Sequence, residues 1–206
     1  AEVVQAINCS PSNRSPGPDG FTNEFYKAFK LLIKDDLLRF FAAFHKNEVD
    51  LSGINSAFIT LLPKKDTPLE MRDFRPISLV HSVPKLASKV LANRLKVWIP
   101  QLVHSLQSGF LKGRSIVENF ALATEMIQYA HKRKLSVIAL KLDFHKAYDT
   151  VHWPFLREVL LRKGFDDRWV TRVMQLVSCG RTAVNINGET GPYFPILCGV
   201  RQGDPF

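Results

Sequence analysis

The 206-residue chain is 46% hydrophobic and 11% aromatic, enough to bury one large core or two small ones, which excludes a disordered tail. Its 28 Lys and Arg against 19 Asp and Glu leave a formal charge of +9, which favours polyanionic partners such as nucleic acid, although a solvated basic surface satisfies the same count. Cys9, Cys179 and Cys198 are odd in number and far apart, so they exclude a paired zinc motif or a secreted disulfide framework and suggest a reducing, intracellular setting.

The chain opens on Ala1, which reads as a cut end, with no basic segment leading into an apolar one. Residues 1–20 read as an N-terminal loop or linker, because Ser15-Pro-Gly-Pro-Asp-Gly20 alternates residues that fix and free the backbone. From Phe21 to about Phe44, apolar residues at three- and four-residue steps predict an amphipathic helix, with a break near Lys34-Asp-Asp36. Ala57–Leu62 and Arg75–Val80 read as short strands that pair, the first opening into the basic Pro63-Lys-Lys65. Pro84 to Trp98 is a basic amphipathic helix. Ser115 and Glu118 fit a capping box opening a helix that runs to about Lys134.

Leu135 to Phe144 then reads as a strand, apolar enough at Val137, Ile138, Leu140 and Leu142 to be central in a sheet. Helices are expected over Trp153–Arg162 and from Asp166 to Val177, with Asp166 and Asp167 as capping and first-turn residues. Arg181–Ile186 and Tyr193–Leu197 flank a turn at residues 187–191 and suggest a β-hairpin. The order of elements favours an α+β fold over a regular alternating parallel one. No apolar stretch approaches the roughly 18 to 20 residues of a membrane helix, so a soluble protein is expected. The final turn-like Arg201-Gln-Gly-Asp-Pro-Phe206 reads as a second cut end.

Asp143 closes the apolar run, and Asp149 follows beyond Ala147 and Tyr148. Six residues across a strand-to-helix turn do not force two carboxylates onto one metal, so Asp149 reads as a local cap or pairing residue, and Asp143 reads either as a metal ligand or as a cap or ion-pair partner. Rival chemistries are excluded residue by residue. Gly109 to Ser115 is one residue short of a phosphate-binding loop and has Arg114 where that motif has Lys. His145 stands where an aspartyl-phosphate enzyme commonly has a second Asp. Neither a Gly-x-Ser-x-Gly elbow nor a His-Glu-x-x-His helix occurs.

Seven stretches in one order carry a resemblance: Ser15–Phe21, Ile59–Lys65, Asp73–Leu79, Lys85–Leu95, Gln107–Phe110 with Gly113–Ser115, Lys141–Asp149 and Gly199–Pro205. Together they cover nearly the whole chain, which resembles a reverse transcriptase of the non-LTR (LINE-type) retrotransposon class. The resemblance implies the fingers and front part of the palm of a right-hand polymerase fold, with fingers over residues 21–134 and a partial palm over 135–206. It implies an RNA-directed DNA polymerase using two Mg2+ ions, an RNA template, a DNA primer and deoxynucleoside triphosphates. Intracellular, nuclear residence follows from it, whereas oligomeric state does not.

By the same resemblance, Asp143 is the catalytic carboxylate that bridges the metals, with the backbone carbonyl of Phe144 beside it. Lys64, Lys65 and Arg75 fall where the family's fingers touch the nucleotide triphosphate, and Arg75 has the planar fork that suits it best. Tyr148 falls beneath the incoming sugar, where a bulky ring excludes a ribose 2′-hydroxyl. Gln202 and Gly203 match a turn lying against the template and nucleotide. Lys85, Lys89, Arg94 and Arg114 are candidate nucleic-acid contacts. The family's later pair of adjacent Asp residues is absent from these 206 residues, because Asp166-Asp167 precedes the Gln202 segment instead of following it. The chain alone is therefore expected to be inactive. Two other readings stand beside the polymerase: a non-catalytic nucleic-acid-binding remnant of a retrotransposon polymerase, and an unrelated metal-dependent phosphohydrolase.

Overall fold

A computed structural model describes residues 1–205. The chain forms two compact units, Ala1–Arg94 with Lys146–Phe206, and Leu95–His145. These limits differ from a partition at residues 20 and 134, because the polypeptide leaves the first unit within one helix and returns to it.

In the first unit, helix α1 (Glu2–Asn8) occupies part of what reads as a linker. It is held because Ala6 and Ile7 are buried against Leu37, Leu86 and Val90. The expected long helix is two, α2 (Asn23–Phe29) and α3 (Lys34–Lys46), so the break falls just before the Lys34-Asp-Asp36 run. Asp35 and Asp36 then stand in the first turn of α3, where acidic side chains favour the helix N-terminus. Strand β1 (Ser56–Pro63) pairs antiparallel with β2 (Phe74–Val80), from Ala57 opposite Val80 to Pro63 opposite Phe74.

Helix α4 (Ser82–Leu102) is the central helix of this core. Leu86 and Val90 meet α1 and α3, while Ala87 and Leu91 join Phe44, Leu51, Val173 and Leu176 in a second cluster. The Ser15–Gly20 loop fixes its start, since Asp19 accepts from the Ser82 amide at 2.8 Å. Gly17 lies on the Val80 carbonyl, where an added Cβ would stand 2.3 Å from the oxygen.

Helices α6 (Trp153–Arg162) and α7 (Asp167–Ser178) follow the expected ranges, and Asp166 caps α7 by accepting from the Arg168 amide. Strand β3 (Arg181–Ile186) does something the sequence did not suggest: it pairs parallel with β1, Ser56 opposite Arg181 to Thr60 opposite Asn185. Its hairpin partner is divided in two. Strand β4 (Glu189–Thr190) pairs directly across Asn187 and Gly188, both left-handed as a tight hairpin turn requires. Strand β5 (Phe194–Pro195) pairs with the start of β3.

In the second unit, α5 (Ile116–Lys132) begins at Ser115, but the Ser115 side chain makes no cap hydrogen bond, so the capping box is not formed. The expected strand over Leu135–Phe144 is also absent, and its side chains are exposed. A run of β-branched and apolar residues becomes a strand only where a neighbouring strand takes its backbone donors and acceptors, and no strand among the described residues pairs with it. No helix among the described residues is long and apolar enough to cross a membrane.

Two predictions follow from these contacts. Leu176, 1% exposed where α3, α4 and α7 meet, is expected to cost about 2–5 kcal/mol when replaced by Ala, measured by denaturant unfolding. Asp73 orders the β1–β2 connection, accepting from the Leu69 and Glu70 amides and pairing with Lys65 at 2.8 Å. Chiefly through Lys65, and then those amides, its carboxyl is held below the ordinary 3.8. A lowered carboxyl stabilises the folded state above that ordinary value and loses the effect as pH falls through its own lower value. Asp73→Asn should therefore speed hydrogen exchange at Leu69 and Glu70 at neutral pH, by an amount that shrinks under strongly acidic conditions.

Candidate nucleotide and nucleic-acid site

The Gly199–Pro205 segment is laid on the sheet by main-chain contacts. Ser78, on the outer edge of β2, donates its amide to the Gln202 carbonyl at 2.8 Å. Gly203 follows with φ +111°, and an added Cβ would lie 2.7 Å from the Ser78 carbonyl oxygen. That position requires glycine both for its conformation and for its closeness.

The same segment is joined to the region of Tyr148. The Val200 amide donates to the Tyr148 carbonyl at 2.8 Å, and the Gly199 amide to the Val151 carbonyl at 2.8 Å. Asp149, expected to act locally, accepts at its carbonyl from the Cys198 thiol. Tyr148 itself is 45% exposed. Gln202 and Asp149 line a cavity of about 350 Å3 that also reaches Ile59 of β1 and Pro76 of β2. Two of the expected nucleotide contacts, Tyr148 and Gln202, thus lie on adjoining segments.

A second cavity, about 450 Å3, lies in the same unit. Lys85 and Lys89 of α4 line it together with Ser78, Gly203, Arg14 and Tyr26. Lys85 and Lys89 are half-buried, and their ammonium groups form no ion pair among the described residues. Arg14 and Tyr26 had no signal in the sequence, because one sits in an apparent linker and the other reads as one more apolar helical position. Burial, with Asp19 nearby, pushes the Tyr26 phenol up to about 12, so it stays neutral and able to donate at physiological pH.

The remaining basic candidates divide by what they already hold. Arg75 is exposed on β2 and makes no ion pair among the described residues. Lys64 donates to the Arg72 carbonyl at 2.8 Å, and Lys65 is paired with Asp73. Arg94 grips Glu2 with two nitrogens at 2.8 and 2.6 Å, an arrangement that raises the guanidinium and lowers the carboxyl. Arg114 donates to the carbonyls of Pro100, Val103, His104 and Gln107, so its fork organises the loop after α4. The last two are satisfied by the protein itself.

Asp143 and Phe144 lie in the second unit, exposed, in the stretch that forms no strand. No group of three or more His, Cys, Asp or Glu that could hold a metal ion occurs among the described residues. Asp143 and the Phe144 carbonyl are the oxygen donors this stretch offers, and further carboxylates would be needed to hold a magnesium pair.

Comparison with known proteins gives these segments a common context. The family profile for reverse transcriptase (RNA-dependent DNA polymerase) matches residues 62–206. The chain is similar to the Transposon TX1 uncharacterized 149 kDa protein of Xenopus laevis, 33% identical over 99% of this chain and 16% of that protein. It is also similar to the Retrovirus-related Pol polyprotein from type-2 retrotransposable element R2DM of Drosophila melanogaster, 29% identical over 93% of this chain and 18% of that protein. A further relative is the RNA-directed DNA polymerase from mobile element jockey of Drosophila melanogaster, 25% identical over 98% of this chain and 22% of that protein. The chain thus spans about a fifth of such relatives or less, and the match runs through β2, α4, the Tyr148 region and the Gln202 turn. This chain belongs to the reverse transcriptase (RNA-dependent DNA polymerase) family, in its non-LTR retrotransposon branch.

Proposed function

We propose that the chain forms the fingers and front part of the palm of an RNA-directed DNA polymerase, where a nucleic-acid template and an incoming deoxynucleotide are held. The observation that carries this is the convergence, within one compact unit, of the Gln202–Gly203 turn, the Tyr148 segment and the cavity bearing Lys85 and Lys89. A sheet edge that accepts a backbone turn presents a rigid wall, and half-buried lysines beside it supply positive charge that is less screened than on an open surface. Such a wall suits a polyanion read by shape and charge.

In this reading Arg75 contacts the triphosphate from β2, with Lys64 and Lys65 secondary because each already serves the β1–β2 connection. Tyr148 presents its ring to the sugar. Asp143 and the Phe144 carbonyl would offer oxygen donors toward Mg2+, which when bound would supply charge stabilisation for nucleotidyl transfer. The other carboxylates have no counterpart in these residues. The whole polymerase activity therefore requires more than this chain.

Fluorescence anisotropy with a labelled primer–template duplex tests the reading directly. Affinity is expected to fall steeply between about 50 and 200 mM salt, and Lys85→Gln or Lys89→Gln should each lower the slope of log Kd against log salt by about one. Salt-independent affinity would rule out the electrostatic wall. In a gel-based extension assay with Mg2+ and deoxynucleoside triphosphates, the 206 residues alone are expected to give no template-directed product, and a ladder of extended primers would refute the assigned carboxylate requirement.

A further inference from the structure

Arg201 is a cation placed next to the turn proposed to meet nucleic acid. Its side chain is only 6% exposed and turns into the protein. One terminal nitrogen, Nη2, donates to the Leu176 carbonyl at 3.0 Å and lies 3.3 Å from Oδ2 of Asp204, itself 7% exposed. The other, Nη1, lies so near Gly180 that an added Cβ there would stand 3.3 Å from it. A guanidinium this enclosed cannot reach a strand of nucleic acid without giving up its contacts with Leu176 and Asp204.

The pair encloses the turn. Asp204 donates its amide to the Arg201 carbonyl at 3.1 Å, so Gln202 and Gly203 are the two central residues between the paired side chains. Ser78 fixes the same turn from the side through the Gln202 carbonyl. The main chain of Gln202 is thus held by β2, by its own turn, and through Arg201 by the C-terminal end of α7.

We propose that Arg201 and Asp204 are positioning residues: a buried ion pair that orients Gln202 and touches no phosphate itself. This rests on the proposed contact between the Gln202 turn and the template strand. It has an electrostatic signature of unusual sign. Removing an acid beside a nucleic-acid site should tighten binding if charge alone matters, whereas loss of the brace weakens it.

The test is anisotropy of the 206-residue chain with primer–template across a salt series, with thermal melts to check folding. Gln202→Ala is expected to weaken binding about fivefold, the value of one neutral hydrogen bond. Asp204→Asn and Arg201→Met should weaken it comparably, with the salt slope unchanged. Each double variant with Gln202→Ala should bind no more weakly than Gln202→Ala alone, because the brace acts through that residue. If Arg201→Met does not fold, Asp204→Asn carries the same cycle. Tighter binding by Asp204→Asn, a slope lowered by about one in Arg201→Met, or additive double variants would each overturn the brace. Unchanged affinity in Gln202→Ala would overturn it while leaving salt-sensitive binding intact, and absence of duplex binding by the unaltered chain would overturn the proposed function with it.

Discussion

The carboxyl end of α7 is where the first unit is tied together. A helix ends with carbonyls that have no partner within it, and here two of them are met from elsewhere in the chain. The fully buried Asn55 donates through Nδ2 to the carbonyls of Gln175 and Leu176, at 3.3 and 2.9 Å. Its own carbonyl accepts the Arg181 amide, which starts the parallel pairing of β1 with β3. Arg201 donates to the same Leu176 carbonyl. One helix terminus therefore fixes the origin of β1, the register of β3 and the anchor of the Gln202 turn. A parallel pair has no tight turn to set its register; here the buried amide of Asn55 supplies that constraint.

Within a chain of formal charge +9, the fold takes up several arginines for its own joints. Arg94, Arg114 and Arg201 are held by carboxylates or carbonyls, and Arg172 is buried against the His45 carbonyl at the end of α3. Desolvation lowers the Arg172 and Arg201 guanidinium groups from their ordinary values, with Asp204 opposing that for Arg201. Planar forks suit carbonyl clusters, and the fold uses its arginines there. Beside the Gln202 turn, charge without an ion pair among the described residues includes Arg75 of β2 and Lys85 and Lys89 of α4, the elements that also receive Gly203 or border it.

Periodicity carried most of the fold into the sequence. The ranges of α6 and α7, the β1–β2 pairing and the core of α4 were legible because each has a buried or half-buried face repeating at its own period. What periodicity could not carry was contact between distant segments. The pairing of Ser56 with Arg181 leaves no pattern in either strand, and α1 is too short to show a face until Ala6 and Ile7 are seen against α3 and α4. The apolar run at Val137–Leu142 failed in the opposite sense, since β preference describes a pleated surface with neighbours and not a property of the run alone. The Gln202 turn was legible through resemblance only. Arg14 and Tyr26, which complete its neighbouring cavity, belong to segments whose local chemistry looks like linker and core.

The two most motif-like stretches owe their composition to backbone packing as much as to any ligand. In Ser15–Gly20, Gly17 lies on the Val80 carbonyl and Asp19 caps α4, so the loop holds the joint between β2 and the helix that carries Lys85 and Lys89. In Gly199–Pro205, Gly203 lies on the Ser78 carbonyl, between the buried and paired Arg201 and Asp204. Both stretches therefore close on β2, at Val80 and Ser78, and both would be disrupted by a single methyl group. A sequence pattern of this kind marks where main chain must meet main chain. The residues left to meet a ligand are the ones between those contacts, which is why Gln202 and the lysines of α4, rather than the glycines or Arg201, bear the functional reading.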